Sequence, residues 1–509
     1  MNNVFKILLL IPVPFLFIPA FAFLFQPLNS VYLFFFLFLY LAIGLSVVFS
    51  PNKNIANFIK MCKATPLKYY MLILLLMSVN ALFLSVAGSA KIGQSIRSII
   101  MQIFLFVMPI IFYFTSVINQ RIGFSNFIKI FTILFWINLL IGFVAYIGQL
   151  LDISAINNFF DMVANLRFIN TENAGIGTLD EKSNYTAFGM PRLDNFFEEP
   201  GHYAQFLFLF LPFVYSVGGS KIKLLKNYIA NSIVLKTIVP FTWISIILTL
   251  SPMFLVFSIL ISLIYYKDIM IKAFIKYNVY IIAVTTISII VFFLLLYIGD
   301  VDISQTYISR IFNIFTDVKS VEDLIYVDGS LASRIVCYIN SFCIFLKHPF
   351  LGVGMGNLGY VMYEQYLNSP VPLTPELIVT TPILMITKGT PLILRGFIYS
   401  FLAENGIFIF ALLVYFFYEV SQELKKIINS LFISKKTILK TTAKGLYFSI
   451  FAMLINSFYN LNFMLIYFQI IVAMMILTIY EYSTKRLHLN GIFQNINGES
   501  HDSKDRKNN

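Results

Sequence analysis

Ile233 to Tyr266 reads IVLKTIVPFTWISIILTLSPMFLVFSILISLIYY, an apolar run whose one charge, Lys236, lies near its start. As a single helix it would be about 50 Å long, far more than the ~30 Å hydrocarbon layer of a bilayer. Ser251-Pro252 divides it, because proline removes an amide donor and clashes with the preceding turn. The run therefore predicts two membrane spans joined by a tight hairpin.

The same texture extends in both directions. Of 509 residues 59% are hydrophobic and only 12% charged, and the mean hydropathy is +0.83, which excludes an ordinary soluble domain. Apolar runs predict spans near 5–25, 31–49, 69–88, 98–118, 128–150, 202–218, 233–250, 252–266, 277–298, 396–418, 444–458 and 461–481. The last long run divides at the polar stretch Asn456 to Asn462. The expected fold is an all-α polytopic membrane protein of about 12 transmembrane helices. Five lie in 1–150, four in 202–298 and three in 396–481, separated by large loops at 151–201 and 299–395.

Lysine and arginine orient this map, since loops retained in the cytoplasm keep them. With the N-terminus inside, 25 of the 36 fall on the inner side, and 16 of the 24 acidic residues fall in the two long outer loops. Both termini are then cytoplasmic, with 482–509 a cytoplasmic tail that from Leu489 onward, with its Asn, Gly, Ser, Lys and Asp, reads as disordered. The first segment, with Lys6 and Ala20-Phe21-Ala22, also resembles a signal peptide, but the apolar run continues past it.

The net charge of +12 comes from scattered residues that form no stripe, so nucleic acid is not an expected partner. Cys62, Cys337 and Cys343 give no disulfide framework, and four widely separated histidines give no metal site. Gly354-x-Gly356-x-x-Gly359 matches the dinucleotide fingerprint formally but lacks the strand–helix setting it needs, so no cofactor is expected. The span interiors are almost free of charge, unlike those of ion-coupled transporters. Glu404 is the main exception, either paired with a loop arginine or catalytic.

Chemistry is therefore expected in the outer loops. The first ends Met190-Pro191-Arg192-Leu193-Asp194-Asn195-Phe196-Phe197-Glu198-Glu199-Pro200-Gly201-His202, gathering one cation, three carboxylates and a histidine beside a span. It is either a solvated rim or an anion site with a general base beside it. The second loop predicts an interfacial helix over 303–315 and another from Leu331 to Leu346 carrying Arg334. His348-Pro349-Phe350-Leu351-Gly352-Val353-Gly354-Met355-Gly356-Asn357 follows, either a plain helix stop or a turn whose glycines let backbone amides approach a ligand. Five prolines between Pro370 and Pro391 then lead to Arg395 at the mouth of the tenth span.

In combination, Arg192 with Phe197-Glu-Glu-Pro-Gly, Ser333-Arg334 with His348-Pro-Phe-Leu-Gly-Val-Gly-Met-Gly-Asn, and Ala403-Glu404-Asn405-Gly406-Ile407 resemble the O-antigen polymerase and ligase superfamily. The order of spans and loops agrees along nearly the whole chain. The resemblance implies a GT-C-like, metal-independent glycosyltransferase of the bacterial inner membrane, using undecaprenyl-pyrophosphate-linked oligosaccharide at the outer face. A polymerase of this kind builds O-antigen or capsule and has a chain-length regulator protein as a partner.

The positions that match the family are Arg192, Arg334 and Glu199, with Glu198 beside it as the other carboxylate for the acceptor hydroxyl. Arginine suits the part, because its planar fork meets phosphate oxygens in two parallel hydrogen bonds. Arg395, His348, Gly352, Gly354, Gly356, Asn357 and His202 complete the expected substrate-binding set. Three departures stand out: Gly201 replaces a common serine, Arg395-Gly396-Phe397 stands where the ligase branch usually carries histidine, and Ser251-Pro252 lies where many relatives have a basic residue after the serine. The second favours a polymerase over a ligase, while a flippase for lipid-linked oligosaccharide fits poorly with charge-poor spans and no two-half repeat.

Overall fold

The computed structural model describes residues 9–15, 33–49, 51–88, 90–159, 186–187, 190–191, 193, 200–220, 222–251, 253–269, 271, 318–327, 329–375, 377–378, 397–431, 437–458 and 466–505. The expected span 277–298 and the interfacial helix 303–315 lie outside these residues.

The longer helices, in chain order, are α1 (Leu33–Phe49), α2 (Pro51–Ala64), α3 (Leu67–Val86), α4 (Ile92–Arg121), α5 (Phe124–Leu150), α6 (Pro200–Gly218), α7 (Tyr228–Leu248) and α8 (253–269). Then come α9 (Val321–Val327), α10 (Gly329–Lys347), α11 (Leu358–Leu367), α12 (Phe397–Asn429), α13 (Ile438–Ser457) and α14 (Ile466–Asp505). Among the described residues six helices (α3, α4, α5, α7, α12 and α13) are long and apolar enough to cross a membrane. The protein is an all-α polytopic membrane protein, and the one sheet among the described residues is a two-residue hairpin pairing Thr186-Ala187 with Met190-Pro191.

Sequence explains which helices lie innermost. α6 is apolar on every side, so its whole circumference must be covered, and every residue from Tyr203 to Val217 is buried. Its phenylalanines mesh with α5, the Phe131–Phe210 and Phe135–Phe206 ring centroids standing 5.3 and 5.5 Å apart. Opposite them, α13 presents small residues to α6. A Cβ on Gly445 would fall 2.7 Å from the Cα of Phe213. Ser449 and Ser216 donate across the same contact to the Leu209 and Thr441 carbonyls at 3.3 and 2.8 Å. Close backbone approach of this kind gives membrane helices their dispersion contact.

Proline and serine end α7 as the sequence predicts: its last residue is Leu248, Leu250 takes a positive φ, and the next helix starts at 253. The first loop docks at that bend, where the Leu193 amide donates to the Leu248 carbonyl at 2.9 Å.

Two features depart from expectation. The helix of α14 continues to Asp505, through the segment read as a disordered tail. Once a stable apolar helix exists, each added residue brings a hydrogen bond without a new nucleation step.

The second departure is larger. The expected tenth span is broken at Gly406, which sits at φ 73°, ψ 177° inside α12. Phe397 and Phe417 would be about 30 Å apart on a straight helix, yet both rings lie against Phe468, with centroids at 5.8 and 5.9 Å. Phe401 and Phe410 likewise face each other at 6.3 Å. Residues 397–405 thus fold back along 407–429 as a helical hairpin with Gly406 at its tip.

Candidate functional site

α10 carries Arg334 and is held on one face by a ladder of polar contacts at helical spacing. Ser333 pairs with Thr374 (2.8 Å), Cys337 with the Tyr366 hydroxyl (3.1 Å), and Asn340 donates to Ser369 (3.0 Å). Lys347 donates to Gln365 at 2.7 Å. Val336, Ile344, Leu358 and Met362 fill the space between with a small core of their own, which also takes in Ala403 of α12. These contacts orient the helix, and Arg334, one residue past the Ser333 rung, is half-buried in its second turn. The far end of α10 rests on the hairpin arm, where Tyr399 lies 5.4 Å from Tyr338 and 6.4 Å from Phe342.

α10 ends at Lys347 because Pro349 cannot continue it, and the chain enters the glycine-rich turn. His348 is exposed, with its amide still bonded to the Ile344 carbonyl at 3.0 Å. The turn then threads against the broken tip of α12. Val353 and Gly354 donate to the Ala403 and Glu404 carbonyls (3.0 and 2.9 Å), and Ile407, past the break, donates to the Pro349 carbonyl at 2.9 Å. A broken membrane helix leaves such groups orphaned, and neighbouring protein must satisfy them; here the turn does so on both sides of the break.

Glycine is required where the turn meets α12 and α4. A Cβ on Gly352, at φ 67°, would sit 2.5 Å from the Glu404 carbonyl carbon, and one on Gly356, at φ 82°, would sit 1.9 Å from the Ser98 hydroxyl. The Glu404 side chain also reaches the turn, accepting the Gly356 amide proton at 2.6 Å. Among the described residues its partner is this backbone amide and no arginine.

The turn has a third support at the same end of the bundle. Asn80 of α3 donates to the Leu351 carbonyl at 2.7 Å. Asn357, 2% exposed, donates to Ser95 and accepts the Lys91 amide, both at 2.9 Å. Gln94 bonds the Tyr360 hydroxyl at 2.5 Å, and the Lys91 ammonium lies 4.0 Å above the Tyr360 ring.

The amides of Gly352, Val353, Gly354, Gly356 and Asn357 therefore all donate to acceptors within the protein. The glycines do allow close approach, but what they approach is protein: the α12 break at Gly352, Leu84 and Ala81 of α3 at Gly354, and Ser98 of α4 at Gly356. Of the other expected site residues, His202 lies half-exposed in the first turn of α6, beside the buried Tyr203, whose hydroxyl donates to Asn138 at 3.3 Å. Arg192, Glu198, Glu199 and Arg395 lie outside the described residues. Among the described residues no three His, Cys, Asp or Glu side chains gather as metal ligands would.

Sequence reasoning missed Asn80, Ser95 and the 91–94 stretch. The one signal was polar: Asn80 interrupts an otherwise apolar span, and a buried amide in such a place needs a partner.

Residues 238–377 match the family model described as O-antigen ligase. The match runs from the middle of α7 through Arg334, the glycine-rich turn and α11, and supports a place in the O-antigen polymerase and ligase superfamily. No curated protein matches the chain.

Proposed function

We propose that the protein is a polysaccharide polymerase of the O-antigen or capsule type, working at the outer face of a bacterial inner membrane. It transfers the growing glycan from undecaprenyl pyrophosphate to the next lipid-linked repeat unit. The observation that carries this reading is the placement of Arg334. It stands on a helix fixed by four polar rungs and by the turn that caps the α12 break, so the backbone that carries its guanidinium is held in place before any substrate arrives.

Preorganisation matters because of the leaving group. The acceptor hydroxyl oxygen attacks the anomeric carbon, the bond from that carbon to the pyrophosphate oxygen breaks, and the electron pair departs with the pyrophosphate. A cation already in place meets that charge without reorganising. Arg334 supplies it, joined by Arg192 and Arg395 from the two outer loops, while Glu199 or Glu198 takes the acceptor proton. We assign Gly352, Gly354, Gly356 and Asn357 to positioning the turn, because their polar groups are engaged within the protein. His202 and His348 remain candidates for contacts to sugar.

The test is the gel profile of surface glycan from cells lacking the protein, with and without a plasmid-borne copy. A polymerase leaves a single repeat unit on the normal anchor. The second reading, a ligase that transfers finished glycan to a lipid or protein acceptor, is favoured by the description of the matched family. It predicts long glycan retained on the carrier lipid, and that outcome would replace the polymerase assignment.

A further inference from the structure

The bond from the Gly356 amide to the Glu404 carboxylate is short, 2.6 Å, and joins the tip of the α12 hairpin to the far side of the glycine-rich turn. The two segments also meet through backbone, Val353 to Ala403, Gly354 to Glu404 and Ile407 to Pro349, and through the stacked rings of Phe350 and Phe408, with centroids 5.8 Å apart. Glu404 therefore contributes at both of its acceptors. Its carbonyl caps Gly354 and its side chain caps Gly356, so two turn residues are pinned by one residue at the end of a half-helix. Met355, between them, is fully buried. On the N-terminal side the same turn continues directly into α10 and Arg334.

We propose that Glu404 is a positioning residue for the transfer reaction, acting through the Gly356 amide to hold the turn, and with it the Arg334 helix, in register with the broken helix. The proposal rests on the polymerase or ligase reading only for its activity readout. Its structural content is independent of that reading. What the bond needs is an acceptor oxygen at the end of a two-methylene side chain. Glutamine supplies the same oxygen without the charge, aspartate supplies the charge one carbon too short, and alanine supplies neither.

The experiment uses the full chain in its native membrane for glycan length, and the purified protein in lipid nanodiscs for hydrogen exchange over 350–358. For Glu404→Gln we expect exchange close to wild type and a near-normal glycan ladder. For Glu404→Ala and Glu404→Asp we expect the segment to exchange about tenfold faster or more, as local opening becomes easier, with the ladder shortened.

Two results would overturn the proposal. If Glu404→Gln loses activity as fully as Glu404→Ala while its exchange stays protected, the carboxylate acts on the chemistry directly. If exchange over 350–358 is unchanged in Glu404→Ala or Glu404→Asp, the bond does not hold the turn. The glutamine variant keeps the idea exposed even if the alanine variant fails to accumulate. If deletion of the protein leaves the glycan unaffected, the functional reading fails while the exchange comparison still decides the positioning role.

Discussion

A Cβ placed on Gly406 would lie 2.1 Å from the carbonyl oxygen of Phe350, so the hairpin tip and the glycine-rich turn are in backbone contact with no room for a methyl group. Gly406 also adopts φ 73°, ψ 177°, a region essentially reserved for glycine and worth about 1–3 kcal/mol of strain in any other residue. Gly406→Ala incurs both the strain and the clash. We expect it to lower stability by more than about 2 kcal/mol, seen as a lower melting temperature in detergent and a lower level in membranes. An unchanged melting temperature would show that the two backbones do not meet at this point.

Asn357 joins the turn to the start of α4 through two bonds, to Ser95 and from Lys91, in a place almost closed to solvent. Truncation to alanine removes the acceptor of the Lys91 amide, while Ser95 keeps its bond from Ser85 at 2.8 Å. Asn357→Ala should therefore destabilise by about 1–3 kcal/mol and raise hydrogen exchange over 91–98. Asn368→Ala, which removes an exposed bond to the Glu364 carbonyl, should change neither and serves as the control.

The membrane class, the hairpin at Ser251-Pro252 and the helix over 331–346 were readable because each rests on a local rule. Apolar length sets a span, proline ends a helix, and a one-sided apolar pattern marks a face. The break at Gly406 was not readable. A single glycine in an apolar run costs about 1 kcal/mol and is usually tolerated; it becomes a hairpin only because Pro349, Val353 and Gly354, some fifty residues earlier, supply partners for the freed backbone groups. The glycines of 352–356 were recognised as points of close approach. Local sequence could not say whether a ligand or Glu404 would come close. Asn80 and Ser95 were missed for the same reason, since their partners Leu351 and Asn357 are distant in sequence.

The second loop also contains a pH-sensitive element. The Asp323 carboxylate opens α9, accepting the amides of Lys319 and Ser320 at 3.0 and 2.9 Å, and these bonds, the Lys319 amide foremost, hold its pKa below the usual carboxylate range. A group whose folded pKa is depressed contributes stability above its unfolded pKa and loses it as pH falls through the folded one. The start of α9 should thus be ordered at neutral pH and fray in acid below the ordinary carboxylate range. Hydrogen exchange over 318–327, compared at matched intrinsic rates across that range, checks this. In Asp323→Asn the acid-induced change should disappear.

Arg334 provides the sharpest test of the catalytic reading. If its guanidinium meets the charge that develops on the departing pyrophosphate, removing it should cost about 3–4 kcal/mol in the transition state, a drop of 10²–10³ in rate by analogy with oxyanion donors. Arg334→Lys should recover only part of this, because a lysine keeps the charge but not the planar fork that meets two oxygens at once. The polar rungs at Ser333, Cys337 and Asn340 do not use the Arg334 side chain, so α10 keeps them in both variants, and the melting temperature of each variant is measured beside its activity. Glycan length in vivo, and turnover of lipid-linked repeat unit by purified protein at matched amounts, provide the measurement. A wild-type ladder from Arg334→Ala at normal protein level would remove Arg334 from the chemistry and leave α10 a structural helix.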